Sequence, residues 1–115
     1  MVYLEIMTIG FSDFQKLDIR IGTIVDISVP EGSNKLYRLT VDLGDILGKR
    51  TIFAGLKNHY ETDELAGRQI VVLVNLEPKE FFGEKGEGML LAADEDGKPI
   101  LLQPEKKVTE GSMVR

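Results

Sequence analysis

Two groups of side chains in this sequence are of types that do chemistry at a surface. The first is cationic: Lys35, Arg38, Lys49, Arg50 and Lys57 fall within residues 35–59, where Asp42 and Asp45 are the only acids. A locally basic block of this kind attracts phosphates and carboxylates. The second is a glycine-flanked segment carrying Lys79, Phe81, Phe82 and Lys85. Rings among cations read two ways. They form a hydrophobic plug beneath a long loop, or a tip on which a base or a partner stacks, at about 1–3 kcal/mol per stacked base.

Other chemistry is looked for and not found. His59 is the sole histidine, so no cluster of imidazoles can hold a metal, and beside Tyr60 it reads as structural. Asp94-Glu95-Asp96-Gly97 lacks the alternating ligands and distal Glu of a calcium loop and reads as a hairpin turn. Gly83-Glu84-Lys85-Gly86-Glu87-Gly88 looks like a phosphate loop, yet a strand follows it rather than a helix, and Glu stands where phosphate would sit. No nucleophile has a recognisable base. The expectation is a non-catalytic protein with no metal and no cofactor.

Composition sets the frame for these residues. A chain of 115 residues, 43% hydrophobic and 29% charged, is one domain able to bury a core unaided. The absence of cysteine excludes a disulfide scaffold and thiolate chemistry. No apolar run approaches the roughly 20 residues of a membrane-spanning helix, and Met1–Gly10 has no basic stretch before its apolar residues. The expected location is therefore cytoplasmic, with no membrane partner. A net charge of −5 and a pI near 4.9 argue against a strongly basic nucleic-acid binder. The charge is unevenly spread, however, and the 35–59 block is positive within an acidic chain.

The elements that must position these residues are mainly strands. From Asp18 to Val29 the odd positions Ile19, Ile21, Thr23, Val25, Ile27 and Val29 alternate with polar ones, which predicts a half-buried strand, with Gly22 marking a bulge or bend. Pro30–Asn34 is a loop. Tyr37, Leu39, Val41 and Leu43 then form one face of a second strand. Residues 44–48 form a turn, and Arg50–Ala54 a third strand. The one convincing helix begins at Thr62, as N-cap, and ends by Gly67. Gln69–Val74, Met89–Ala93 and Ile100–Gln103 are further strands, and residues 75–88 a long loop. This order predicts a mainly all-β fold, a five-stranded Greek-key barrel of the OB type with a short helix and a C-terminal β extension. Its binding surface would be the face of strands two and three with the loops at 30–35 and 75–88.

Six stretches together resemble the tRNA-binding domain family of methionyl-tRNA synthetases. They are Asp18-Ile19-Arg20-Ile21-Gly22, Lys35-Leu36-Tyr37, Val41-Asp42-Leu43-Gly44, Ala54-Gly55-Leu56, Asn75-Leu76-Glu77-Pro78-Lys79 and Gly88-Met89-Leu90-Leu91-Ala92-Ala93. The resemblance covers residues 13–115, leaving 1–12 as an N-terminal extension. It implies a non-catalytic module that grips the tRNA body by shape and backbone, free-standing or as a β-type subunit beside a catalytic methionyl-tRNA synthetase chain. Lys35, Asn75 and Lys79 match the family's tRNA-binding positions, and Tyr37, Arg38, Arg50 and Lys85 complete the expected tRNA-binding set. After Pro78 the family usually carries further cations, where this chain has Glu80, Phe81 and Phe82. One branch of the family is a chaperone associated with protein export, which gives the alternative reading and makes Phe81 and Phe82 a partner-contact loop. The resemblance also implies a homodimer, and Ile9, Phe11 and Phe14, which precede the first strand, read either as its interface or as a plug at one end of the barrel.

Overall fold

The computed structural model describes residues 7–115, so the first six residues of the N-terminal extension lie outside the described residues. In chain order the elements are α1 (Phe11–Gln15), β1 (Ile19–Ser28), β2 (Tyr37–Asp42), α2 (Gly44–Leu47), β3 (Lys49–Ala54) and α3 (Thr62–Leu65). There follow β4 (Gln69–Leu73), β5 (Lys79–Phe81), β6 (Glu84–Gly86), β7 (Met89–Leu90), β8 (Ala92–Glu95) and β9 (Lys98–Leu101). The helix α1 spans the boundary between residues 12 and 13, where the resemblance places the start of the domain.

Five antiparallel strands run in the order β3-β2-β1-β4-β7. The Glu87 amide donates to the Thr51 carbonyl at 2.9 Å, which brings the β7 end of the sheet against β3 and nearly closes the barrel. The result is the expected OB-type barrel. Its interior holds Ile24, Leu39, Val41, Leu43, Ile52, Ile70 and Val72, with Leu56 and Leu65 filling in from the connection between β3 and β4. The alternation read in the second strand holds: Tyr37, Leu39 and Val41 are buried, and Arg38, Thr40 and Asp42 face outward.

β1 departs from its expected face. The register slips between Ile24 and Asp26, so the bulge lies at Val25 and not at Gly22. One inserted residue reverses which side chains point inward. Ile24 is therefore fully buried, while Val25 and Val29 are largely exposed. Gly22 serves a different purpose, since a Cβ there would sit 2.5 Å from Cγ1 of Val41 and 2.8 Å from Cδ2 of Leu43.

Other boundaries also move. Glu61, not Thr62, is the N-cap of α3, and its amide donates to the Glu64 carboxylate at 2.8 Å in the capping-box manner. Residues 44–47 form a short helix in place of a plain turn, and residues 11–15 form a helical turn that the sequence pattern did not mark. Met89–Ala93 divides at Leu91 between β7 in the barrel and β8 in a separate hairpin with β9. The long loop at 75–88 is not structureless, because β5 and β6 pair within it.

After β9 the chain returns as a strap along the free edge of β1. Ile21 donates to the Ser112 carbonyl at 2.9 Å, Gly111 donates to Ile21 at 2.7 Å, and Val114 donates to Ile19 at 2.8 Å. Buried Gln69 holds the same strap, donating to the Val108 carbonyl at 2.7 Å and accepting from the Val108 amide at 3.0 Å. Gly111 has φ +88°, and a Cβ there would meet the Leu43 carbonyl oxygen at 2.5 Å. Gly111→Ala should therefore lower unfolding free energy by about 1–3 kcal/mol in urea denaturation. Gly55→Ala, whose Cβ would meet nothing within 4 Å, serves as the neutral control.

Candidate nucleic-acid interface

The β5–β6 hairpin lies over the outer face of β2 and β3. Its turn is Phe82-Gly83, with φ 50° and 78°, the positive pair that a two-residue type I′ turn demands. Glycine takes this conformation freely, whereas for a bulky ring it is strained. The Phe82 side chain is 59% exposed and approaches Gly32 in the loop between β1 and β2.

Phe81 behaves differently from its neighbour. Its ring stacks on Phe53 of β3, with centroids 4.7 Å apart, and a Cβ at Gly86 would come within 3.1 Å of both rings. Phe81 is thus the plug and Phe82 the tip. Beside them, Phe53, Leu76, Phe81, Gly86 and Met89 line a mainly apolar groove of about 430 Å³.

The residues expected to bind divide into engaged and free. Tyr37 is buried, and its hydroxyl donates to the Tyr60 carbonyl at 2.8 Å. Arg50 donates to the Val74 carbonyl at 2.7 Å, tying β3 to the end of β4. Asn75 accepts from the Asp18 amide at 2.9 Å and donates to the Lys16 carbonyl at 2.6 Å, clamping the approach to β1. Arg38 forks onto Glu84 of β6, Nε to Oε1 at 2.7 Å and Nη2 to Oε2 at 2.6 Å. Those hydrogen bonds hold the Glu84 carboxyl below its ordinary value and the Arg38 guanidinium above its own. Side chains assigned to a ligand are in these four cases committed within the chain.

Lys35, Lys79 and Lys85 make no ion pair among the described residues. Lys35 sits at the end of the first loop, which Ser33 shapes by accepting from the Leu36 amide at 2.9 Å. Lys79 reaches over the Phe81 ring with Nζ 5.2 Å from its centroid. Lys85 stands across the hairpin from Glu80. Sequence reasoning missed Glu84 and Phe53. Glu84 was visible only as an anion in a glycine-rich run, and its partner lies 46 residues away.

Phe81→Ala removes the stack that seats the hairpin. Tryptic cleavage after Lys79 and Lys85 should then accelerate several-fold, while Phe82→Ala leaves it unchanged; limited proteolysis followed by mass spectrometry reads both.

A nearly closed five-stranded barrel, with a loop and a hairpin bearing lysines beside its β2–β3 face, defines a small OB-type binding module. The family model for the tRNA binding domain matches residues 19–113, and the chain belongs to that family. The methionine–tRNA ligase of Methanothrix thermoacetophila is 48% identical over 107 residues, covering 93% of this chain and 16% of the ligase. The chain thus spans about a sixth of the length of the ligases it matches. Among solved structures, a MetRS related protein from Pyrococcus horikoshii superposes with a TM-score of 0.87 at 32% identity, covering 96% of this chain and 100% of that one. The CsaA chaperone protein of Picrophilus torridus gives 0.86 at 32% identity, covering 94% and 100%.

Proposed function

We propose that this chain binds tRNA without catalysis, gripping the folded body by shape and backbone, alone or beside a catalytic methionyl-tRNA synthetase chain in the cytoplasm. The family match over residues 19–113 carries this reading. Lys35, Lys79 and Lys85 are the cations available for phosphates, and Phe82 supplies an exposed ring at the same end of the face. Labelled total tRNA, titrated at about 50 and 200 mM salt with duplex RNA and single-stranded DNA as competitors, tests it. Preferential, salt-sensitive tRNA binding is the expected result; no saturable binding at low salt rejects it. Lys35→Ala and Lys79→Ala should each flatten the slope of log K against log salt by roughly 0.7–0.9, one phosphate contact apiece.

A second reading, binding of protein segments, is favoured by the apolar groove beside exposed Phe82 and by the likeness to a chaperone structure. Phe82→Ser leaves the Phe53–Phe81 stack in place, so loss of peptide binding by this variant, with tRNA binding retained, would support it.

We also propose a homodimer. Phe11 and Phe14 stack with centroids 6.2 Å apart and, with Leu17, Met113 and Val114, line an apolar depression of about 320 Å³. Ile9 and Phe11 are 62% and 71% exposed beside it. Sedimentation at micromolar concentration should give twice the chain mass of 12.8 kDa, and Phe11→Glu should return it to 12.8 kDa.

A further inference from the structure

The outer face of β2 and β3 is where a barrel of this type receives an extended polyanion. Arg38 stands on it, opposite Ser28 of β1 and Phe53 of β3. A guanidinium is a planar fork that takes a phosphate and a carboxylate with the same two-pronged geometry. Here the fork is filled from within the chain, by both oxygens of Glu84 at 2.7 and 2.6 Å. Asp26 adds a further negative field at Arg38.

Glu84 is held in that position by the hairpin. Its cross-strand partner is Phe81, whose ring stacks on Phe53, so the ring contact and the ion pair seat the same strand pair side by side. The pair is nevertheless accessible: the Arg38 and Glu84 side chains are 30% and 43% exposed. Within the hairpin Glu80 stands across from Lys85 on one face, and Glu84 stands beside Phe81 on the face turned toward Arg38. The hairpin therefore sets a carboxylate on Arg38, the one cation that β2 carries.

We propose that Glu84 is a built-in phosphate mimic that withholds Arg38 from the ligand, so that this one carboxylate limits the affinity and salt dependence of polyanion binding on the β2–β3 face. This rests on the tRNA-binding reading above. Arg38 is a latent phosphate contact, and Glu84 acts through it rather than by touching the nucleic acid. Removing the negative charge while keeping the shape releases the cation. Glutamine does this, because its amide oxygen still accepts one hydrogen bond from Arg38 and keeps the hairpin seated.

The test is a set of tRNA titrations across salt concentrations for the full chain and its Glu84→Gln, Arg38→Gln, Glu84→Gln/Arg38→Gln and Glu80→Gln variants, with tryptic cleavage after Lys79 and Lys85 reporting hairpin docking. Glu84→Gln should tighten binding several-fold at about 50 mM salt and steepen the slope by roughly 0.7–0.9, one added phosphate contact. The double variant should lose that gain, and Glu80→Gln, on the other face of the hairpin, should not reproduce it. Arg38→Gln alone should leave the slope at its wild-type value, because a masked cation makes no phosphate contact. A gain that survives in the double variant means that Glu84 acts by general repulsion and overturns the proposal, as does an unchanged or weaker Glu84→Gln. Should Glu84→Gln loosen the hairpin, Arg38→Gln alone decides: a slope flattened by roughly 0.7–0.9 shows Arg38 already on phosphate and overturns the proposal. If neither the wild type nor Glu84→Gln binds tRNA at low salt, the tRNA-binding reading itself fails and the proposal falls with it.

Discussion

β1 has to serve as the shared strand of the barrel, and the rest of the molecule follows from how it does so. Its first half pairs with β4 from Ile19 to Thr23, and its second half pairs with β2 from Thr23 to Ser28. A flat strand cannot turn from one neighbour to the other, and the bulge at Val25 supplies the extra twist. The close seat of Gly22 against Val41 and Leu43 lets the two layers meet where β1 bends. The cost is an edge: residues 19–21 have a partner on one side only. The strap at 108–114 fills it, with Gln69, Thr23 and Gly111 fixing its path. An unpaired row of amides and carbonyls beside the core would otherwise be lost hydrogen bonds or a template for aggregation.

Such long-range constraints decide what could be read from the sequence. β2 was legible because it pairs with β3 in unbroken register and the bulge in its pairing with β1 lies on β1, so that alternation in its own chain became alternation in space. β1 was legible as a strand but not in its facing, because a bulge need not fall on a glycine and Val25 carries no mark of one. The capping of α3 shifted by one residue for a similar reason: Glu64 reaches back to Glu61 as readily as Thr62 could have capped its own turn. The hairpin at 79–86 was hidden by its turn. Phe82-Gly83 breaks the usual Asn-Gly or Asp-Gly signal, and three residues a side are too few to show a period.

The candidate site was legible in its composition and less so in its partners. Sequence gives the positions of cations; it does not say which of them the fold consumes. Arg50 caps a carbonyl at the end of β4, Arg20 pairs with Asp18, Arg68 donates to Gln103, and Arg38 forks onto Glu84. A guanidinium has several donors in fixed directions and satisfies backbone and carboxylate groups with little further ordering, so arginines are drawn into structure. A lysine is a hydrated point charge on a flexible stem, and Lys35, Lys79 and Lys85 remain at the surface for that reason. Asn75 belongs with the arginines, since both ends of its amide are spent on the chain leading into β1.

The hairpin brings the demands of folding and of binding onto the same atoms. Two strands of three residues are not stable alone, and the positive φ of Phe82 adds strain at the turn. The pair must therefore be held down, and β2 and β3 offer a ring and a guanidinium to hold it, through Phe53 to Phe81 and Arg38 to Glu84. Each contact that seats the hairpin covers part of the face on which a barrel of this kind meets its ligand. What stays open is the rim: the groove beside Phe53 and Met89, the lysines at the two loop ends, and the Phe82 ring leaning toward Gly32. On the proposed binding face a ligand would meet the hairpin first, because the hairpin lies over the ring and the guanidinium that hold it down.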